Sequence, residues 1–378
     1  MSSRRARRVL FADYYAFLGG GQVNLLSVFK AIDRRRYQPL LVLPKEGPFA
    51  ERARALNVPV FIIPMGKARW RWFFSALRSS RALGALMRRE NIDLVHANCY
   101  PVNKLAGPAA KKLGIPVLWH KQIAVTQKPG STTARLWKFF SRFDQVVLAV
   151  SQQGLKGLKA LGIPGRKLRL LYNNADTARI QGVKATPSSE LRTLGIPSGV
   201  PLVLAAGMRR PHKGFDVLIR AIEAVEAKAH FLLMGDPTPS EAAHERQLLA
   251  LAKHSALQGR LTVLPAQPDL APWLKRCDLF VSSSRWEGSP LSVIEAMAAG
   301  CAIVATRSGS GEILEDGETA WLCESDDAAG LARAVDAALK SKTERARRGK
   351  LAKADALKNF SLKHYARELM ALYDAMLR

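Results

Sequence analysis

Short apolar runs alternate with amphipathic stretches along almost the whole chain. Runs at 9–12, 39–43, 58–63, 94–97, 117–120 and 146–150 have the length and apolar continuity of strands buried on both faces. The segments between them, such as 22–32 and 49–56, carry the wider spacing of helices and are long enough for crossover connections. A second series follows at 201–206, 230–234, 261–264, 279–281 and 302–305, and a final helix is predicted over about 362–376. Between the two series, 179–199 contains Pro187, Ser188, Ser189, Pro197, Ser198 and Gly199 and has the composition of a linker. The pattern predicts an α/β protein of two doubly wound, Rossmann-like parallel-sheet domains facing a central cleft. Their expected extents are 1–180 and 181–360, with 361–378 as a C-terminal helix packing back on the first domain.

Length agrees, since 378 residues exceed one ordinary core at roughly 150 residues per domain. No apolar run approaches the ~18 residues of a spanning helix. The basic start RRARR is followed by a segment broken by Asp13 and three glycines, which lacks the apolar core of a secretory signal. Cys99, Cys277, Cys301 and Cys323 are scattered without metal-ligand spacing, so a reduced, cytoplasmic setting is expected.

Charge changes the picture. The net charge is +27, and residues 1–180 hold 32 basic against 8 acidic residues, whereas the remaining 198 hold 26 against 23. Such asymmetry predicts a polyanionic partner on the first half: an anionic membrane, an acidic acceptor or nucleic acid. Within it, Arg71, Arg78, Arg81, Arg88 and Arg89 fall within about 100° of one helical face, opposite Phe73, Leu77, Leu83 and Met87. With Trp70, Trp72 and the later Trp137-Lys138-Phe139-Phe140-Ser141-Arg142, this segment suits an anionic bilayer. An ordinary amphipathic helix, apolar face in the core, fits it equally.

Candidate chemistry concentrates in SRWEGSPLSVIEAMAAG, residues 284–300. Glu287 is placed in a strand-to-helix loop, and Glu295 one turn into a helix beginning near Leu291, with Gly288, Ser289 and Pro290 between them. Ligands of open parallel sheets bind beyond the carboxyl ends of the strands, where carboxylates accept sugar hydroxyls and a helix start favours phosphate. The turn Met208-Arg209-Arg210-Pro211-His212-Lys213-Gly214 follows another strand, and Arg210 and Lys213 suit a diphosphate as its bond to a sugar breaks. An early Gly19-Gly20-Gly21 loop opens a helix, but strict dinucleotide and Walker patterns are absent. No acidic cluster has the spacing of a metal site.

The order of these features resembles the retaining glycosyltransferases of family 4, also called glycosyl transferases group 1, which have the GT-B fold. It comprises the early GG loop, Lys213-Gly214, Gly235-Asp236, Glu287-Gly288 and Glu295-Ala296-Met297-Ala298-Ala299-Gly300, with Asp93-Leu94-Val95-His96, Val150-Ser151 and Tyr172-Asn173-Asn174-Ala175-Asp176. The resemblance implies that Glu295 binds the donor ribose and Glu287 lies near the transferred sugar. Arg210 and Lys213 then hold the diphosphate, Gly20 and Gly21 close on it, and His120, ending Val117-Leu118-Trp119, lies near the reacting sugar. Gly288, Ser289, Pro290 and Leu291 complete the donor loop. It further implies transfer from a nucleotide diphosphate sugar with retention, without a metal or other cofactor. The charge of the first half adds the expectation of a glycan or lipid-linked acceptor, such as a lipopolysaccharide core, met by a peripheral enzyme at the inner face of the cytoplasmic membrane. Departures are Met208 after Gly207 where relatives have arginine, Asn174 for a frequent glycine, and Pro237 after Asp236. A basic nucleic-acid-binding protein and a GT-B nucleotide-sugar epimerase or phosphorylase are the alternatives; the resemblance gives no reason to expect nucleic acid as a partner.

Overall fold

The computed structural model describes residues 5–65, 72–122, 127–238, 241–254, 257 and 259–378. The chain forms two compact units, residues 1–173 with 362–378, and residues 174–361.

In the first unit, β1 (Arg7–Ala12), β2 (Tyr37–Leu43), β3 (Val60–Ile62), β4 (Leu94–Ala97), β5 (Val117–Lys121), β6 (Val146–Ala149) and β7 (Leu168–Leu170) form one parallel sheet in the order β3-β2-β1-β4-β5-β6-β7. Side chains alternate across it. Val9 and Phe11 of β1 pack with Leu25 and Phe29 of helix Gly20–Ala31, whereas Leu10 and Ala12 pack with Leu83, Leu86 and Met87 of helix Trp72–Arg89. Both faces are therefore covered, which is why the strands are continuously apolar. Helix Leu362–Met376 joins the first face through Tyr365, Leu369 and Tyr373, and Asp374 ties it to Arg36 and Tyr37.

The second unit repeats the plan with β8 (Leu202–Ala206), β9 (His230–Met234), β10 (Leu261–Leu264), β11 (Leu279–Ser282), β12 (Ile303–Thr306) and β13 (Trp321–Cys323), ordered β10-β9-β8-β11-β12-β13. Strand order reverses between β1 and β4 in one sheet and between β8 and β11 in the other. Beyond the carboxyl ends of such a pair the flanking loops diverge and leave a crevice.

Three details differ from the sequence expectation. The division falls after Asn173 rather than at 180, and the second unit ends at Ser361 rather than at 360. Residues 179–199 are no linker: they carry helices Thr177–Gly182 and Ser188–Thr193, which bury Ile180 and Leu191 within the second unit. The proline and serines that suggested a linker start a helix, with Pro187 at its N-cap. Of the basic aromatic segment, Arg69, Trp70 and Arg71 lie outside the described residues, as do the side chains of Trp72 and Phe73.

Candidate active site

Two loops meet at the switch point of the second sheet. After β8, the turn to Gly214 runs past the end of β11, and Gly214 takes φ +63° with the Ser283 carbonyl 2.0 Å from where a Cβ would stand. Only glycine fits that approach. Gly235, after β9, would place a Cβ 1.8 Å from the Gly207 carbonyl, so the ends of β8 and β9 are equally close.

This packing brings Lys213 onto Glu287. Lys213 Nζ donates to Glu287 Oε1 at 2.5 Å, and Ser284 Oγ donates to the same oxygen at 2.8 Å. Loop and turn are stitched further by residues to which sequence reading gave no role. The Trp286 ring stacks on His212 at 4.4 Å, and the Arg285 backbone N–H donates to the His212 carbonyl. The Arg285 guanidinium grips Asp216 through two bonds of 2.9 and 2.8 Å and reaches Asp326 at 2.6 Å. Trp286 and Arg285 stand inside the motif that carried the two glutamates, but their partners Asp326, Asp216 and His212 lie 41 or more positions away.

The two arginines of the basic turn divide. Arg209 is buried and committed: it pairs with Glu245 at 2.8 Å and donates to the Gly235 carbonyl. Arg210 has only Thr238 Oγ1, at 3.1 Å, and no carboxylate among the described residues. His212 registers the company, since burial takes its pKa down to about 4 while Glu287 pulls upward and Lys213 and Arg210 push down.

Glu295 lies on helix Leu291–Ala299, which follows the buried Ser289 and the N-cap Pro290. Its carboxylate takes no hydrogen bond among the described residues. Burial raises its pKa to about 7, with Arg179 opposing and Asp269 adding to the rise, and these two residues pair with each other at 2.6 Å. The structure thus brings Lys213, Glu287 and Arg210 together around His212 and groups Glu295 with Arg179 and Asp269.

The remaining candidates belong to the first unit. Gly20 and Gly21 open the helix after β1, and a Cβ on Gly21 would crowd Gln122 at 3.2 Å and Asn98 at 3.5 Å. His120 is fully buried in β5, and burial lowers its pKa to about 3. Among the described residues no group of three or more His, Cys, Asp or Glu is arranged to hold a metal ion.

With this geometry in hand, comparisons with known proteins are decisive for the family. Residues 18–179 match the model of glycosyltransferase family 4, and residues 200–341 match that of glycosyl transferases group 1. The chain belongs to the family 4 glycosyltransferases. It is 30% identical to the lipopolysaccharide core biosynthesis glycosyltransferase LpsE of Rhizobium meliloti over 45% of this chain and 47% of LpsE, about half of each. It is 24% identical to the N,N'-diacetylbacillosaminyl-diphospho-undecaprenol alpha-1,3-N-acetylgalactosaminyltransferase of Campylobacter jejuni over 93% of this chain and 95% of that protein. The crystal structure of Anabaena Alr3699/HepE in complex with UDP and glucose covers 98% of this chain and 100% of its own, with TM-score 0.86 at 20% identity. The fold is GT-B. Neither a nucleic-acid-binding protein nor an epimerase finds support in these matches.

Proposed function

We propose that this family 4 member transfers a sugar from a nucleotide diphosphate sugar to a glycan or lipid-linked acceptor of cell-surface polysaccharide assembly, with retention at the anomeric carbon. The observation that carries it is the meeting of Lys213 and Glu287 at the switch point of the second sheet, with Arg210 beside them and without a carboxylate partner among the described residues. Glu295, whose carboxylate takes no hydrogen bond among the described residues, suits the vicinal hydroxyls of a ribose. Arg210 and Lys213 offset the charge that grows on the diphosphate as the glycosidic bond breaks, and the start of the helix at Leu291 adds backbone N–H groups. Those cations take the part a metal ion takes elsewhere. The acceptor oxygen then attacks the face the diphosphate leaves, through an oxocarbenium-like state, and its proton passes to the departing phosphate. In this reading Glu287, salt-bridged to Lys213, stabilises the positive charge on the sugar.

Relatives named for lipopolysaccharide core and undecaprenol-linked glycan synthesis support such an acceptor, and a fold neighbour solved with UDP makes uridine donors the first to try. The basic first half supports action at the inner face of the cytoplasmic membrane. No helix among the described residues is long and apolar enough to cross a bilayer. Incubation with nucleotide sugars and detergent-solubilised lipid-linked glycans, followed by NMR of the product's anomeric proton, tests the reading. An axial product from an axial donor, unaffected by EDTA, is expected; an inverted product or full loss of turnover in EDTA contradicts it.

A further inference from the structure

At the switch point of the first sheet, seven side chains from β4, β5, the residues just past the ends of β1, β4 and β5, the first helix and the C-terminal helix form a largely buried polar network whose direction can be read from its fixed ends. One end is anchored by backbone. Tyr15 N–H donates to Asp13 Oδ1 at 3.0 Å, and Gly19 N–H donates to Gln22 Oε1 at 3.1 Å, which turns Gln22 Nε2 onto Asp13 Oδ2 at 2.8 Å. Both Asp13 oxygens accept, and Asn98 Nδ2 donates to the same Oδ2 at 2.6 Å. Asn98 Oδ1 then faces Gln122 Nε2 at 2.8 Å, and the same amide nitrogen stands 3.0 Å from His120 Nδ1. An amide nitrogen can only donate, so His120 Nδ1 is an acceptor and carries no proton.

The other end gives the same answer independently. Tyr373, on the C-terminal helix, is fully buried, and its hydroxyl has His96 Nδ1, at 2.6 Å, as its hydrogen-bond partner among the described residues. A buried phenol donates where it can, so His96 Nδ1 accepts and the His96 proton sits on Nε2. His96 Nε2 lies 3.1 Å from His120 Nδ1 and donates to it, sharing that nitrogen's single lone pair with Gln122 Nε2 in a three-centre bond. Burial keeps both rings neutral, so each has one N–H. His120 Nε2 is left as a buried N–H with no partner among the described residues.

We infer that Tyr373, His96 and Gln122 are positioning residues that fix His120 as the Nε2–H tautomer, so that His120 serves the reaction as a hydrogen-bond donor to a ligand oxygen and never as a base. The ligand here is the nucleotide sugar or the acceptor hydroxyl, and that part rests on the function proposed above. The network also gives the C-terminal helix a part in the site: it reaches a β5 side chain through one histidine.

Long-range 1H–15N spectra of the histidine-labelled, ligand-free protein report which ring nitrogen bears the proton. Protons on Nε2 of both His96 and His120 are expected; a proton on His120 Nδ1 would overturn the inference. Gln122→Glu replaces one donor by an acceptor of the same shape and Tyr373→Phe removes the hydroxyl that orients His96, so the double variant is expected to move the His120 proton to Nδ1. An unmoved proton in a folded double variant also counts against the relay. With an active donor in hand, His120→Gln, which keeps an N–H near the Nε2 position, is expected to retain kcat within about tenfold, while His120→Ala loses about 10²–10³-fold. Equal losses in the two variants would refute the donor role. Wild-type protein that turns over no nucleotide sugar counts against the proposed function alone, because the tautomer spectra still decide the relay.

Discussion

A carboxyl group with few polar neighbours resists ionisation, and Glu295 is such a group. Its pKa of about 7 against the ordinary 4.5 reflects burial first, with Arg179 opposing and Asp269 adding to the rise. The linkage follows from which state holds the proton. Below about pH 4.5 both folded and unfolded chains are protonated, and as pH rises the unfolded chain releases its proton while the folded one keeps it. Stability therefore falls between about 4.5 and 7 and stays lower above. Glu295→Gln removes that loss: it should raise the melting temperature of the ligand-free protein at pH 8, by a free energy on the order of 2 kcal/mol, and leave it unchanged at pH 4. The same variant should lose nucleotide affinity, because an amide accepts ribose hydroxyls less well than a carboxylate. Thermal melts at the two pH values decide it, and a variant less stable than wild type at pH 8 would contradict the account. Lys213 makes the complementary case. Lys213→Ala strands Glu287 without its cation and takes a positive charge from the diphosphate site, so turnover should fall about 10²–10³-fold, as for a lost charge-stabilising group. Unchanged kcat would remove Lys213 from the site.

At the scale of elements, the site depends on how closely one loop can pass another. Gly214 sits in the left-handed region against the Ser283 carbonyl, and an added methyl group would have to push the basic turn off the end of β11. Gly214→Ala should cost about 1–2 kcal/mol for the backbone conformation alone, with more from the collision, and should weaken nucleotide binding along with stability. A variant with wild-type melting temperature and affinity would show that the close approach is not needed. Much of this architecture was legible in the chain. The eleven strands anticipated are all present, Glu287 and Gly288 fall in the strand-to-helix connection expected of them, and the helix begins at Leu291 as expected. The strands missed, β7 and β13, are three residues each at sheet edges, too short to show periodicity. What the sequence hid was pairing across distance. Arg285 and Trp286 read as loop residues until their partners Asp216 and His212 are seen. Asp13, Asn98, Gln122 and Tyr373 come from four separate segments, and no spacing rule relates them. The amphipathic segment after residue 71 was readable both ways, and its helix does bury Leu83, Leu86 and Met87 while leaving Arg78, Arg81, Arg88 and Arg89 exposed.

For the molecule as a whole, the net charge of +27 is concentrated in the first 180 residues, and the helices there carry apolar side chains in the open. Phe74 is 72% exposed, and Leu136 and Phe139, at 45% and 44%, stand among the exposed Arg135, Lys138 and Arg142. Exposed aromatics among cations suit the interface of an anionic bilayer, where each basic residue near the surface contributes about 1 kcal/mol. Cosedimentation should therefore show binding to phosphatidylglycerol vesicles that weakens as salt rises from 50 to about 500 mM, and little binding to phosphatidylcholine alone. Equal binding to both lipids would count against an electrostatic attachment. The account as a whole stands on the nucleotide held beyond β8 and β11. Thermal stabilisation by a panel of nucleoside diphosphates, taken on wild type, Lys213→Ala and Glu295→Ala, tests this directly. One base class should stabilise wild type by about 2.7 kcal/mol at a hundred times its dissociation constant, and Glu295→Ala should lose most of that gain. No stabilisation by any nucleotide, or the same stabilisation in all three proteins, would contradict it.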